Sequence, residues 1–441
     1  MPSLLIVADN FAPNPAIGGR RAERMASHLR DRGWQVTVLT LPVGCRGVDA
    51  SLEVPQGIEV LRVPPPSPRP NARRLLDRLR RMRAPPGPPS GTTTRTTTGT
   101  TTGTTTGTDT ASSDPTDRHR PASLRTRARG KIHGWLVHAE MPDELVGWQW
   151  TAAFALRGRS FDVVVGSVPS WSSAVTARVA AERCGARLVL DYRDPWTDLF
   201  ERAGAPIAAG RLARQRALET ACLARADLVT VVTPTLQSWL GARWGRPPLL
   251  VTNAWDRRPT PRRPAASSRL VYAGSLAYGR SLKPVFAAMA RLPDLPLTLD
   301  YIGGHGALAF GDAQAYGQHE RVHLHGSRRC SEVFEMIDAA GASVVVVSQG
   351  FDYAYPGKIF ELVGQASPML LIGPQGCDAV ELVRRHRLGW ARDPSDIDGI
   401  VTDLRDMVAG SRPTPRDLDL LSPTHTMNQL DEALRALLTA A

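Results

Sequence analysis

Lys358 and Glu361 stand three residues apart in the stretch YPGKIFELVGQASPMLLIG. The β-branched run before them, GASVVVVSQ, is typical of a buried parallel strand. Apolar residues then recur at helical spacing, and Pro356 fits the first turn of a helix because its φ is already helical. The pattern predicts that both charged side chains lie in that first turn, at the carboxyl edge of a parallel sheet, where α/β proteins bind ligands. An i, i+3 ion pair on an exposed helix face is the alternative.

Two glycine-containing loops have the composition of phosphate-binding loops. In FAPNPAIGGRRAERMASHL, Gly18 and Gly19 come at the start of a helix, where free backbone N–H groups and the helix dipole attract anions. A simple tight turn is the alternative. In YAGSLAYGRSLK, Gly274 ends a strand, and Arg280 and Lys283 enter a helix. Cations there oppose the helix dipole, and a bound anion would offset them. We therefore predict a diphosphate site between the two loops.

The elements that must position these residues alternate between short apolar strands and amphipathic helices. The alternation runs through two series, which a Pro/Arg/Ser-rich stretch, RRPTPRRPAASS, separates. Such βαβ patterns predict parallel, doubly wound sheets. The predicted fold class is therefore α/β, with two Rossmann-like domains that face a cleft. Ligand-binding sites commonly lie in clefts between domains.

Composition breaks set the predicted domain boundaries. An N-terminal Rossmann-like domain is expected at 1–256, a linker at 257–268, a second Rossmann-like domain at 269–424 and a C-terminal helix at 425–441. The Thr/Gly repeat at 84–115 lacks apolar residues that could form a core. It is expected to be a disordered insertion in the first domain.

The formal net charge of +12 is concentrated in one segment. Between Arg69 and Lys131 the sequence carries 14 arginine and lysine residues against four aspartates, so the rest of the chain is close to neutral. A nucleic-acid-binding protein would carry basic residues on its folded body, and this class is therefore disfavoured. Within the segment, Arg73–Arg83 combines an apolar stripe with a cationic face. This pattern suits either an interfacial membrane helix or a helix packed on the domain.

Cysteine and hydropathy patterns exclude other classes. The five cysteines are scattered, odd in number and without C-x-x-C spacing, which argues against a disulfide framework and a zinc site. No apolar stretch approaches the roughly 20 residues of a membrane span. We expect a cytoplasmic protein.

Taken in order, these segments resemble the family-four glycosyltransferases with the two-domain GT-B fold, in particular a subgroup of polysaccharide and natural-product enzymes. The resemblance covers most of the chain and depends on several motifs together. They are the N-terminal glycine loop, the P-D-x-x-x-x-W segment MPDELVGWQWTAAF, the R-D-x-W segment LVLDYRDPWTD, the crossing segment LLVTNAWD, the strand LVYAGSL and the P-x-K-x-x-E segment YPGKIFELVGQ. The crossing segment departs from the usual N-G-x-D, because Ala254 follows Asn253.

The resemblance implies transfer of a sugar from a nucleoside diphosphate sugar to an acceptor hydroxyl, with retention and without a metal or a cofactor. The first domain would bind the acceptor and the second the donor. Glu361 would accept hydrogen bonds from the ribose diol. Lys358 would lie close to the phosphates or to the helix end. Charge on the departing diphosphate would be stabilised by the amides of Gly18 and Gly19, by Arg280 and by Lys283 or Lys358.

The resemblance also assigns Arg193 and Asp194, in R-D-x-W, to acceptor-side and catalytic contacts. Asp194 would orient or deprotonate the acceptor, although an Arg–Asp pair that only positions its loop is the alternative. Tyr353 stands eight residues before Glu361, where many family members carry a second glutamate, and Asp352 is a candidate substitute.

Two other functions stay open at this point. A nucleotide-sugar 2-epimerase has the same architecture, but the P-x-K-x-x-E signature disfavours it. A glycosyltransferase-like partner without catalytic activity is the non-enzymatic alternative. If the protein is a transferase, a lipid-linked acceptor and peripheral membrane contact would suit the apolar and cationic faces of Arg73–Arg83.

Overall fold

The computed structural model of the protein describes residues 1–14, 17–45, 47–49, 52–66, 141–202, 204–255 and 267–439. The Thr/Gly repeat, the Arg73–Arg83 stripe and most of the predicted linker lie outside the described residues.

The first sheet has seven parallel strands in the order β3-β2-β1-β4-β5-β6-β7. They are β1 (Ser3–Val7), β2 (Gln35–Thr40), β3 (Glu59–Arg62), β4 (Val163–Val168), β5 (Arg187–Tyr192), β6 (Leu228–Val231) and β7 (Leu249–Leu250). Leu4 of β1 pairs with Val36 of β2 on one side and with Val163 of β4 on the other. The central strand β4 is buried throughout. Its nearly continuous apolar sequence follows from helices covering both faces of the sheet.

The helices of this half connect the strands. They are α1 (Ile17–Asp31), α2 (Trp148–Ala155), α3 (Trp171–Cys184), α4 (Asp198–Glu201), α5 (Ala209–Arg225) and α6 (Pro234–Trp244). The chain runs from β1 outward to β2 and β3, and from β4 outward in the opposite direction. The crevice between the carboxyl ends of β1 and β4 is therefore a topological switch point, the usual ligand site of open α/β sheets.

The second sheet has six parallel strands in the order β10-β9-β8-β11-β12-β13. They are β8 (Arg269–Ala273), β9 (Thr298–Ile302), β10 (Val322–Gly326), β11 (Ala342–Val346), β12 (Met369–Ile372) and β13 (Gly389–Arg392). Its helices are α7 (Lys283–Ala290), α8 (Gly306–Gln314), α9 (Cys330–Ala339), α10 (Lys358–Gly364), α11 (Asp378–His386) and α12 (Ile397–Val408), with 3₁₀ turns at His319–Arg321 and Leu418–Leu421. The predicted fold class, with two doubly wound α/β halves, is confirmed.

Helix α10 begins slightly later than the sequence predicted. Its first residue is Lys358, and Pro356 lies just before the first turn, where its carbonyl accepts the N–H of Ile359 at 2.9 Å. Glu361 falls in that first turn. The predicted placement of Lys358 and Glu361 together at the carboxyl edge of β11 is therefore confirmed.

The C-terminal helix α13 (Pro423–Thr439) returns to the first half. Trp34 Nε1 donates to Asp431 Oδ1 at 2.7 Å, and the buried residues Met427, Leu430 and Leu434 belong to the core around β1. The chain thus crosses between the halves twice. The two crossing segments lie side by side, and Trp255 N of the first donates to Leu421 O of the second at 3.3 Å.

The loop between β11 and α10 also contacts the first half. Tyr353 is 3% exposed, and its ring centroid lies 5.5 Å from that of Trp239 in α6. Its carbonyl accepts the hydroxyl of Thr233 at 2.8 Å, and Asp378 Oδ2 accepts the N–H of Thr235 at 3.0 Å. Thr233, Tyr353 and Asp378 all follow strands, so the carboxyl edges of the two sheets meet at this contact.

Candidate active site

Arg193 joins three strand-end loops of the first half. It follows β5, and its Nη1 donates to Gly18 O at 2.9 Å while Nη2 donates to Pro169 O. These acceptors belong to the loops after β1 and β4. Arg193 therefore fixes the walls of the switch-point crevice through main-chain carbonyls rather than through Asp194. These contacts give Arg193 a positioning role, and its predicted contact with the acceptor stays a prediction.

The glycine pair has a packing reason. A Cβ at residue 18 would lie 2.6 Å from Arg193 Nη1, and one at Gly19 would lie 3.3 Å from the main chain of Asn10. Only glycine lets the start of α1 approach these groups so closely. The two amides also lie in the first turn of α1, where N–H groups have no helical partner. Phosphate binding by these amides stays a prediction.

A buried ion pair, which the sequence analysis missed, supports the same loops. Arg21 Nη2 and Nε donate to the two carboxylate oxygens of Asp191 at 2.7 and 2.8 Å. The Thr230 hydroxyl donates to the same carboxylate at 2.6 Å. Burial alone would raise the pKa of Asp191, but Arg21 and Thr230 outweigh it and hold the pKa below its usual value. An aspartate inside the apolar run LVLDY was the available signal.

Asp194 is exposed to solvent at the edge where the two halves meet. Desolvation by the surrounding protein raises the pKa of its carboxyl, and the charge of Arg193 offsets part of that rise. Across the gap, burial raises the pKa of Tyr353 to about 12, and the Asp194 carboxylate contributes to the rise. Asp194 thus faces the second half of the molecule. The first of the two family glutamate positions, Tyr353, is instead part of the contact between the halves.

Residues of the R-D-x-W and P-D-x-x-x-x-W motifs support the loops of the site. The buried Trp196 of R-D-x-W donates through Nε1 to Gln215 Oε1 at 2.7 Å, and Gln215 Nε2 donates to Pro142 O at 2.7 Å. Asp143 accepts the N–H and hydroxyl of Ser172 at 2.9 and 2.6 Å, at the start of α3. These hydrogen bonds give Trp196, Gln215 and Asp143 a structural role in fixing the loops.

Glu219, buried in α5, is a second residue that the sequence analysis missed. Its Oε2 accepts the hydroxyl of Thr197 and, at 3.2 Å, the N–H of Thr197, three residues after Asp194. Burial raises the pKa of Glu219 to about 7, while Thr197 and Arg243 act in the opposite direction. This carboxyl anchors the loop that carries Asp194.

Lys358 reaches into the end of β8. Its Nζ donates to Ala273 O at 3.0 Å and lies 4.3 Å from the ring centroid of Tyr272. A Cβ at Gly274 would lie 3.2 Å from Nζ, so the glycine makes room for the ammonium. Burial, and then the charge of Arg280, lower the pKa of Lys358 to about 8. The lysine is thus directed into the site rather than along an exposed helix face.

Glu361 is exposed in the same first turn of α10, three residues after Lys358. It borders a small cavity of about 60 Å³ between α9 and α10, which Phe334, Lys358 and Gln365 also line. A whole nucleotide needs several times this volume. The cavity is therefore an indentation beside the carboxylate rather than a complete pocket.

Arg280 and Lys283 differ in their surroundings. Arg280 Nη1 lies 3.4 Å from Ser275 O and close enough to Lys358 to lower its pKa. Lys283 is exposed at the start of α7, where Asp312 Oδ2 already accepts the N–H of Leu282 at 2.8 Å. The sequence predicted that a ligand anion offsets the cations at this helix start. Asp312 supplies a negative charge there, and phosphate contact by Lys283 stays a prediction.

The predicted residues therefore form two facing groups. The first group, on the first sheet, contains Gly18, Gly19, Arg193 and Asp194. The second group, on the second sheet, contains Gly274, Arg280, Lys358 and Glu361. Among the described residues, no three His, Cys, Asp or Glu side chains are arranged to hold a metal ion. None of the helices in the described ranges is long and apolar enough to cross a membrane.

Comparison with known proteins adds to this geometry. Residues 101–254 match the family model of the glycosyl transferase 4-like domain. The chain is similar to sucrose-phosphate synthase from Thermosynechococcus elongatus, with 14% identity and a TM-score of 0.62 over 100% of both chains. It is similar to HepE from Anabaena, solved with UDP-glucose, with 12% identity and a TM-score of 0.58 over 98% of this chain and 99% of HepE. No curated protein matches the chain by sequence.

A third similar structure is the lipopolysaccharide outer core galactosyltransferase WaaB, with 12% identity and a TM-score of 0.56 over 99% of both chains. Identities this low show a shared fold, and function must be argued from the site. The chain has the GT-B fold of these glycosyltransferases, and its first half includes a region that matches the glycosyl transferase 4-like domain.

Proposed function

We propose that the protein is a glycosyltransferase that moves a sugar from a nucleoside diphosphate sugar to an acceptor hydroxyl. The observation that carries the proposal is the pair of facing groups at the carboxyl edges of the two sheets. On one side, Lys358 and Glu361 share the first turn of α10, with the lysine beside Gly274. On the other side, Asp194 is exposed and faces the second half.

The second half would bind the donor. Lys358 and Arg280 place two cations beside the Gly274 turn, which suits the charge of a diphosphate. The carboxylate of Glu361, three residues after Lys358, can accept hydrogen bonds from both hydroxyls of a ribose. HepE, with the same fold, was solved with UDP-glucose. This similarity supports a nucleoside diphosphate sugar as the ligand class.

Transfer would break the bond between the anomeric carbon and the diphosphate oxygen and form a bond to the acceptor oxygen. Negative charge grows on the departing diphosphate, and preorganised cations aimed at it lower the barrier. We assign this role to Arg280 and Lys358, and we propose that no metal is needed. Asp194 would orient the acceptor hydroxyl or accept its proton, which its position in the gap permits. We further propose retention of anomeric configuration and a hexose as the transferred sugar.

The setting we propose is polysaccharide, glycolipid or natural-product biosynthesis in the cytoplasm, with peripheral membrane contact where the acceptor is lipid-linked. Trp150 and Phe154 are 68% and 65% exposed, one turn apart on α2. The arginine-rich stretch from Arg69 to Lys131 precedes this helix in the sequence. Exposed aromatic side chains and cations together favour an anionic bilayer surface. Deletion of 69–131 should reduce binding to anionic liposomes, and unchanged binding would remove this part of the proposal.

The test of the function combines ligand binding with turnover. Nucleoside diphosphate sugars should raise the melting temperature of the wild-type protein, because ligands that bind only the folded state stabilise it. Glu361→Ala should abolish most of this shift and leave the fold intact, since the residue is exposed. Glu381→Ala, an exposed glutamate in α11, is the matched control.

Donor turnover with and without acceptors then separates a transferase from an epimerase or a non-catalytic binder. A wild-type protein that binds no nucleoside diphosphate sugar would contradict the proposal. So would a Glu361→Ala variant with an undiminished thermal shift.

A further inference from the structure

His305 occupies an unusual backbone position at the carboxyl end of β9. It lies between Gly304 and Gly306 and has a φ of 65°, in the left-handed region. This conformation costs a residue with a side chain roughly 1–2 kcal/mol of conformational free energy, whereas glycine adopts it almost without cost. Its neighbours on both sides are glycines, yet this position carries an imidazole. Strained positions of this kind cluster at functional sites.

A hydrogen bond fixes the imidazole to the loop after β8. His305 Nδ1 lies 2.8 Å from Ser275 Oγ, and the N–H of Ala277 donates to the same Oγ at 3.1 Å. A serine hydroxyl has only one proton to donate. The Ala277 N–H occupies one lone pair of this oxygen and leaves the hydroxyl proton free to donate to Nδ1. In that arrangement the imidazole proton is on Nε2, which becomes a hydrogen-bond donor.

Positive charge lies close to the imidazole. His305 is the N-cap residue of α8, where the positive end of the helix dipole attracts anions. Arg280 approaches the carbonyl of Ser275 at 3.4 Å, so a permanent cation lies on the same loop. Both features favour an anionic ligand beside His305.

The imidazole lies at the same place as the second group. A Cβ at Gly303 would lie 2.2 Å from Gly274 O, so the turns after β8 and β9 touch each other. The ammonium of Lys358 lies close to Gly274, and Ser275, the next residue, is hydrogen-bonded to His305. His305 is exposed, and its Nε2 has no hydrogen-bond partner among the described residues.

We propose that His305 is a ligand-binding residue whose Nε2–H donates a hydrogen bond to a diphosphate oxygen of the nucleotide-sugar donor. The inference rests on the proposed function and adds a hydrogen-bond donor to the two cations. Hydrogen bonds to charged oxygens are the stronger ones, so a single fixed N–H contributes measurably to affinity. Ser275 is a positioning residue in this arrangement, because it acts only by setting the tautomer.

The first test is calorimetric titration with UDP, GDP and ADP, followed by the variants with whichever diphosphate the wild-type protein binds most tightly. His305→Ala should weaken binding about tenfold or more, the value expected for a hydrogen bond to a charged oxygen. His305→Gln should retain most of the affinity, because its amide nitrogen reaches roughly the position of Nε2. His319→Ala, an exposed histidine in a 3₁₀ turn, should bind like the wild-type protein.

The second test needs no ligand. Nitrogen-15 spectra of histidine-labelled protein should show His305 as the Nε2–H tautomer, and Ser275→Ala should remove that preference. An Nδ1–H tautomer in the wild-type protein, or equal affinity in His305→Ala and the wild-type protein, would overturn the assignment. A wild-type protein that binds none of the three diphosphates would refute the proposed function and this inference together.

Discussion

Raising the pH from 7 to 9 should weaken binding of a nucleoside diphosphate sugar about tenfold, because Lys358 loses its proton in this range. Burial and the charge of Arg280 lower the pKa of the free lysine to about 8. A diphosphate bound beside Nζ stabilises the charged form and moves the pKa back toward its usual value. The complex therefore holds a proton that the free protein releases. The affinity falls by about tenfold per pH unit once the pH exceeds the pKa of the free lysine.

Calorimetry at pH 7, 8 and 9 measures this linkage. At pH 8, titrations in two buffers with different ionisation enthalpies should show uptake of about half a proton per ligand bound. Lys358→Arg is the control, because a guanidinium stays charged over the whole range. Its affinity at pH 7 should fall only if the larger group fits poorly, and its pH dependence should be nearly flat.

Three results would refute the reasoning. One is a wild-type affinity that does not change between pH 7 and 9. Another is a pH dependence that Lys358→Arg leaves unaltered, since the titrating group would then be elsewhere. Release of protons on binding would also contradict the proposed sign, because an anion must raise the pKa of a neighbouring lysine.

Three further predictions concern stability. Gly18→Ala should lower the free energy of unfolding by about 1–3 kcal/mol, because the new methyl group overlaps Arg193, and urea denaturation should show a smaller added cost in an Arg193→Ala background. Asp431→Ala should cost about 2–4 kcal/mol in the same assay, since it leaves the buried N–H of Trp34 without an acceptor, and an unchanged midpoint would contradict this. The pKa of Glu219 in the folded protein, about 7, exceeds its ordinary value of 4.5. The contribution of Glu219 to the free energy of unfolding is therefore complete below pH 4.5 and is lost as the pH rises through 7. Thermal melts of Glu219→Gln between pH 4.5 and 8 should lack this loss.

The architecture was readable from the sequence because its signals are local. Buried parallel strands need apolar runs such as VVVGSV, and helices need a period of 3.6 residues. The position of Lys358 and Glu361 in the first turn of α10 follows from the same local pattern. The carboxyl edges of parallel strands then bring the predicted loops to the same side of each sheet.

The details of the site were not readable, because they depend on contacts between distant residues. The guanidinium of Arg193 binds the carbonyl of Gly18, 175 residues away in sequence. Asp312 caps the start of α7 from 30 residues further along the chain. No local pattern announces such pairings. The aspartate in LVLDY was the one internal signal, since a charge inside an apolar strand requires a partner.

The side-by-side crossing segments have a mechanical consequence for the protein. Two adjacent segments, hydrogen-bonded through Trp255 and Leu421, restrict rotation of the halves more than a single connecting segment would. The two facing groups would then approach each other along a restricted path. Truncation before residue 423 would remove the second tether, free the domains to rotate independently and leave the face of α1 that α13 covers open to water.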